Sequence, residues 1–175
     1  MKREELETKM KSIEEKIASY QHTLHQLNEE LKEVIKQEED RGNYVSSKEI
    51  TDLIYEKTGK NTNMSTIKRW ADEGYIGEVI DEKDKFWALK SKQGKKRFLY
   101  PKTDVYSFLY QKGYLWPKYE VLDRVQISKN DDDKLLTGII IDSCLKNAQF
   151  HYTIQLEVSM KMVKEIQESC LKKII

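Results

Sequence analysis

The chain has 175 residues, of which 38% are hydrophobic and 35% charged, with 31 Lys and Arg against 30 Asp and Glu. A formal charge of +1 singles out no partner, and a charged fraction above the roughly 25% of ordinary soluble domains points to exposed helix faces rather than one large core. No run approaches the ~20 apolar residues of a membrane span, the opening MKREELETKM lacks a signal-peptide apolar region, and Cys144 and Cys170 are too few for a disulfide scaffold or zinc site. The expectation is a cytoplasmic protein with free thiols.

Residues 1–41 contain no Gly or Pro and carry one period. Leu6, Met10, Ile13, Ile17, Tyr20, Leu24, Leu27, Leu31 and Val34 are spaced alternately by four and three. That repeat averages 3.5 residues and keeps one stripe facing a partner only if helices supercoil. Met10, Ile17, Leu24 and Leu31 fall at a positions; Leu6, Ile13, Tyr20, Leu27 and Val34 fall at d. These nine residues are the expected dimerisation seam of a coiled coil. The alternative is an amphipathic helix packed on its own domain, which would use a broader stripe. Charge leaves the orientation open, because Lys9 at g can meet Glu14 of a parallel partner or Glu30 of an antiparallel one.

Residues 42–117 hold fourteen basic and ten acidic side chains. Ser46 with Glu49 makes a capping box for a helix carrying Ile50, Leu53 and Ile54, which Gly59 closes. Asn63 can cap the next helix, with Met64, Ile67, Trp70 and Ala71 on one face, Ser65, Arg69 and Asp72 pointing directly away from it, and Thr66 and Lys68 beside them. Such a helix suits a major groove: Arg69 can fork to guanine, while Lys68 and the hydroxyls suit phosphates. KFWALK and KRFLY are expected as two strands joined by a tip bearing Lys92, Lys95, Lys96 and Arg97, and Lys85 to Lys102 contains seven cations and no acid. A further helix is expected after Pro101, capped by Thr103, with Val105, Phe108 and Leu109 inward. The acidic run Glu78, Asp81, Glu82 and Asp84 is expected to face away from phosphate.

YVSSKEITDLI, STIKRWADEGYIG and KKRFLYPKTDVYSFL, in that order, resemble the MerR-type and phage-excisionase winged helix-turn-helix. The likeness covers about residues 44–110 and rests on Thr66, Ile67, Lys68, Arg69, Trp70, Glu73, Gly74, Arg97, Phe98, Pro101 and Asp104. It implies DNA contact by Thr66, Lys68, Arg69 and Arg97, with Trp70 as aromatic anchor and Gly74 as helix end. YEKTGKNTN and IGEVIDEKDKFWALKSKQGK are longer than the family's turn and wing.

Residues 118–175 balance nine basic against nine acidic side chains, and DRVQIS, LTGIIIDSCL, FHYTIQLE and MKMVKEI read as strands divided by turn clusters. The pattern resembles Tudor and KOW small antiparallel barrels, with Pro117 as a hinge and both cysteines in the barrel core. Tyr119, Phe150, His151 and Tyr152 read more readily as strand packing than as an aromatic ligand site. His22, His25 and Glu29 are spaced for weak metal binding but read better as a solvated face, and Asp131, Asp132 and Asp133 as an acidic turn. No phosphate-cradling Gly loop, nucleophile elbow or metal-ligand motif appears, so neither catalysis, cofactor nor metal is expected.

The expected architecture is α+β and multi-module: residues 1–41 a coiled-coil oligomerisation helix, 42–117 a winged helix-turn-helix, 118–175 a small barrel that could bind a protein partner. The expected function is sequence-specific double-stranded DNA binding as a homodimer or higher homo-oligomer, in a transcription regulator or architectural factor of a phage, plasmid or other mobile element. The alternatives are DNA segregation or nucleoid organisation, and a protein-binding adaptor or inhibitor such as a phage anti-defence protein.

Overall fold

The computed structural model of the protein describes residues 2–89, 94, 96–128 and 135–174. Its fold is mixed α+β, with one long N-terminal helix and a C-terminal antiparallel sheet. The chain gathers into two compact units, residues 1–43 with 81–97, and residues 44–80 with 98–175.

In the first unit Arg3–Arg41 forms a single 39-residue helix, α1. Glu4 and Glu5 in its first turn and Arg41 in its last complement the helix dipole. Ion pairs at one-turn spacing support the exposed surface, Arg3 with Glu7 at 2.7 Å and Glu29 with Lys32 at 2.7 Å. Residues 81–97 return to the C-terminal end of α1. They form a short helix, Glu82–Lys85 (α4), then a 3-10 turn at Trp87–Leu89 that packs on α1. KFWALK is therefore not the expected strand. Asp81 accepts from Lys83 N–H at 2.9 Å, Phe86 is buried, and Ala88 N–H donates to Gln37 Oε1 at 2.9 Å. Anchoring to α1 takes the place of a strand ladder. Lys92 and Lys95 of the expected tip lie outside the described residues.

The second unit begins with Tyr44–Ser46 (β1), Ser47–Thr58 (α2) and Met64–Asp72 (α3). The Ser46–Glu49 capping box is formed, with Glu49 N–H donating to Ser46 Oγ and Ser46 N–H to Glu49 Oε2. Gly59 ends α2 in the left-handed conformation, φ 69°. Ile80–Asp81 (β2) and Phe98–Pro101 (β3) complete a small sheet ordered β1-β3-β2, in which Val45 faces Tyr100. Lys102–Gln111 (α5) follows, without a side-chain cap. Thr103 lies inside its first turn rather than at its cap, because Pro101 already supplies the extended backbone that precedes a helix.

Arg124–Ile127 (β4), Leu136–Lys146 (β5), Gln149–Leu156 (β6), Met162–Gln167 (β7) and Leu171–Lys173 (β8) form a second sheet ordered β7-β6-β5-β4-β8. Alternation directs Val125, Ile140, Tyr152 and Ile154 inward. The sheet is not closed into the expected barrel: among the described residues its edge strands β7 and β8 do not pair with each other. It is nonetheless strongly curled. Five strands laid flat span about 19 Å, yet β7 reaches the opposite edge through the three-residue 3-10 turn Glu168–Cys170, only about 6 Å of chain.

One hydrophobic core joins Ile50, Ile54, Ile67 and Leu109 of the helices to Val125, Ile140, Tyr152 and Ile154 of the sheet. Leu115 and Tyr119 are buried on either side of Pro117, so the core continues through the stretch expected as a hinge. The cysteines depart from expectation. Cys144 is exposed, since β5 turns its Ser143–Leu145 stretch alternately toward and away from the interior, and Cys170, in the 3-10 turn Glu168–Cys170, is half-buried.

Gly138 shows how tightly β5 and β6 approach: a Cβ there would lie 2.5 Å from Ile154 Cγ2 and 2.6 Å from the Gln155 carbonyl oxygen. Gly138→Ala should lower unfolding free energy by about 1–3 kcal/mol through overpacking, read by urea denaturation. Acid should loosen the same unit. Asp123, Glu157 and Glu165 are held below the ordinary carboxylate range by hydrogen bonds from Lys173, Arg124 and Lys146 respectively. Their stabilisation is present above the unfolded carboxylate range and lost as pH falls through the depressed folded values. Urea midpoints should thus hold from neutral pH to about pH 5 and fall below pH ~4, with a shallower fall in Glu157→Gln.

Candidate nucleic-acid interface

In the second unit the surface of α3 follows from how its other side is fixed. Ile67 is fully buried and Trp70 is 8% exposed. The Trp70 ring meets Phe108 edge-on at 5.0 Å and lies 6.0 Å from Tyr114, while Tyr75 stacks on Phe108 at 5.3 Å. Such aromatic pairs add about 0.5–1.5 kcal/mol each beyond area burial and pin α3 to α5. Gly74 at φ 79° turns the chain out of the helix, and Tyr75 N–H closes the end on the Trp70 carbonyl at 2.9 Å. The Asn63 side chain accepts from Ser65 N–H at 3.1 Å at the other end.

With that face locked inward, helical geometry turns Ser65, Lys68 and Arg69 outward, all exposed, and leaves Thr66 half-buried beside them. Lys68 and Arg69 enter no ion pair among the described residues, so both cations stay available to an anion. Asp72 and Glu73 are exposed at the C-terminal end. The helix dipole favours a negative ligand at the N-terminal end and Lys68 favours one at mid-helix, whereas Arg69 shares the last turn with Asp72, which together with Glu73 opposes an anion there.

In the first unit the expected wing residues are placed differently. Arg97 Nε lies 3.5 Å from Glu82 Oε2, with its side chain 64% exposed, and Arg41 Nε lies 2.9 Å from Glu82 Oε1. Glu82 is thereby enclosed between two guanidinium groups, which is why this member of the acidic run is buried rather than turned to solvent. Asp40 with Lys85 at 3.6 Å adds a second link, and Gln37, the one buried residue of α1, holds Ala88. Lys96 is exposed. This clasp of Gln37, Arg41, Glu82 and Phe86 was not read from the sequence. Glu82 resembles any acid in a charged run, and no periodic pattern links residue 41 to residue 82.

The seam residues of α1 are exposed in this chain. Leu6, Met10, Ile13, Ile17, Tyr20, Leu24, Leu27 and Leu31 have 45–72% of their surface in water, and Val34 is half-buried. His22, His25 and Glu29 are exposed on the same helix; the Glu29 carboxyl is lowered by its hydrogen bond from Lys32. Among the described residues no group of three or more His, Cys, Asp or Glu side chains is placed to hold a metal ion, and no helix is long and apolar enough to cross a membrane.

The curled sheet buries Tyr119 and Tyr152 against each other, ring centroids 5.7 Å apart. Tyr152 donates to Glu168 at 2.6 Å, and Lys118 N–H donates to the same carboxylate at 3.2 Å. Burial, then the Glu168 hydrogen bond, pushes the Tyr152 phenol well above its usual range. Tyr119 O–H donates to the Leu171 carbonyl at 2.7 Å. Both rings are buried in the packing of the sheet. Beside them an open cleft of about 430 Å³ is walled by Leu53, Tyr106, Leu115 and Phe150, with Lys57 and Glu168 at its polar side.

Comparison with protein families, curated proteins and solved structures finds no match to this chain.

If Glu82 is what holds residues 81–97 to α1, Glu82→Ala should remove the carboxylate that Arg41 and Arg97 both contact and weaken the attachment by about 2 kcal/mol. Hydrogen exchange at the Ala88 amide should rise about thirtyfold, with exchange in the second unit unchanged.

Proposed function

We propose that the protein is a non-enzymatic, sequence-specific double-stranded DNA-binding protein that acts as a homodimer, regulating transcription or shaping DNA. The observation that carries this reading is the outward face of α3: Ser65, Thr66, Lys68 and Arg69 displayed from a short helix whose other side is locked by Trp70. In this reading α2 and α3 form a helix-turn-helix of MerR and excisionase type and α3 enters the major groove. Arg69 reads a base edge; Lys68, Ser65 and Thr66 hold phosphate. The basic segment with Lys92, Lys95, Lys96 and Arg97 supplies sequence-independent affinity by displacing counterions, and Arg97 exchanges its Glu82 contact for phosphate. The nine seam residues of α1 form the dimer, so that two weak half-site contacts multiply through effective concentration. The curled C-terminal sheet is a Tudor or KOW-like module. In this reading the protein is a cytoplasmic factor of a phage, plasmid or other mobile element.

A second reading, a protein-binding adaptor or inhibitor, is favoured by one observation. Leu122, Val158 and Met160 are 66–94% exposed in the loops of the C-terminal sheet, and large apolar side chains left in water are the raw material of protein contacts.

The readings part on mutation. Arg69→Ala should cost about 1–3 kcal/mol, concentrated at one base position. Lys95→Ala with Lys96→Ala should instead weaken every duplex and reduce the salt slope by about two. Binding titrations on variant duplexes at several salt concentrations measure both. Unchanged DNA affinity in all these variants, with loss of function on replacing Val158 and Met160 by Ser, would favour the adaptor.

A further inference from the structure

The outward face of α3 holds an acid as well as cations, and the acid is not at its margin. The buried residues Ile67 and Trp70 fix the inward direction of the helix. At about 100° per residue, Ser65 and Asp72 fall within about 10° of the opposite direction, with Lys68 and Arg69 about 50° to either side. Glu73, by contrast, lies about a quarter-turn round, on the flank. Asp72 is exposed. Lys68 and Arg69 precede it by four and three residues, a spacing at which opposite charges commonly pair. Among the described residues no ion pair joins it to either, so the carboxylate keeps its capacity to accept.

In the proposed function α3 enters a major groove about 12 Å wide. Its nine residues make it about 13.5 Å long, so the groove takes its whole length, and the centre of its outward face meets base edges rather than phosphates. The Cα–Cβ bonds of a helix tilt toward its N-terminus, which carries the Asp72 side chain back toward the level of Arg69 instead of past the helix end. A carboxylate among base edges is repelled by the acceptors of guanine (N7 and O6) and of thymine (O4), and is matched by the amine donor of cytosine N4. Residues 69 and 72 are about 4.5 Å apart along the axis, close to the roughly 3.4 Å rise of one base pair, so the two side chains address neighbouring pairs. We infer that Asp72 is a specificity-determining residue of α3, accepting from cytosine N4 next to the guanine to which Arg69 forks. Each half-site then contains two adjacent G·C pairs. The carboxylate releases no counterions and opposes phosphate, so what it contributes is discrimination rather than affinity.

This inference rests on the DNA-reading half of the proposed function, and its test separates the two. The full chain is titrated with the duplex recovered by selection and with three relatives, in which the pair beside the Arg69-dependent guanine is changed to each other base. Wild-type protein should bind cytosine there about tenfold more tightly than thymine or guanine. Asp72→Ala should erase that preference while leaving the salt slope unchanged. Asp72→Asn should move it to adenine, because an amide matches both N6 and N7. Both substitutions fall at an exposed position, where stability changes little. An Asp72→Ala chain that binds all four duplexes more tightly by one factor would make the carboxylate a general repellent of phosphate and overturn the base contact. A cytosine preference that survives both substitutions would overturn it too. In either event selection would still depend on Arg69, and the DNA reading would stand. If wild-type and Arg69→Ala chains both select no motif, the DNA reading itself is overturned, and the role of Asp72 with it.

Discussion

A helix one stripe wide cannot leave eight large apolar side chains in water without something to cover them, and that constraint governs this molecule. From Leu6 to Leu31 every seam residue of α1 is about half exposed or more. Covering the nine seam side chains contributes on the order of 10 kcal/mol per helix by buried area, before the entropy of association. A 39-residue helix built largely of Glu, Lys and Gln has propensity on its side but few tertiary contacts, and helices in water owe most of their stability to a packed face. In the proposed dimer a second copy covers that face, and the stability of α1 then depends on association.

What the stalk carries is unexpected. The basic stretch expected as the wing of the helical module belongs instead to the unit built on α1, clasped through Glu82 between Arg41 and Arg97. A charge enclosed in this way is expensive to unpair, so the clasp acts as a fixed joint rather than a loose surface contact. In the proposed function the two DNA-contacting elements are then answerable to different parts of the chain: Arg69 to the Trp70–Phe108 lock, Lys96 and Arg97 to the stalk. Affinity from the basic segment and base discrimination from α3 become separable properties.

Much of this was legible in the sequence wherever a local rule decides the outcome. The 3.5-residue period set α1; Ser46 with Glu49, Gly59 and Asn63 set the ends of α2 and α3; alternation gave four of the five strands of the second sheet. Trp70, Ile67, Val105, Phe108 and Leu109 were recognisable as inward-facing from helical spacing alone. Legibility ended where distant partners decide. KFWALK alternates like a strand, but Gln37 and the side of α1 claim Phe86 and Ala88. Glu82 was hidden in an acidic run because its partner Arg41 is forty-one residues away. Leu171–Lys173 was too short to announce itself as a strand, and it is defined by pairing with β4. Residue type points Cys144 to the core, whereas strand parity decides its exposure.

The central claim is that α3 reads duplex sequence and that the chain does so in pairs. Repeated selection of bound duplexes from a random-sequence pool, carried out at low and at moderate salt, tests it most directly. The account predicts that one motif is enriched at both salt levels, composed of two half-sites related by two-fold symmetry. Enrichment of no motif at either salt, with wild-type and Arg69→Ala chains recovering indistinguishable pools, would contradict it.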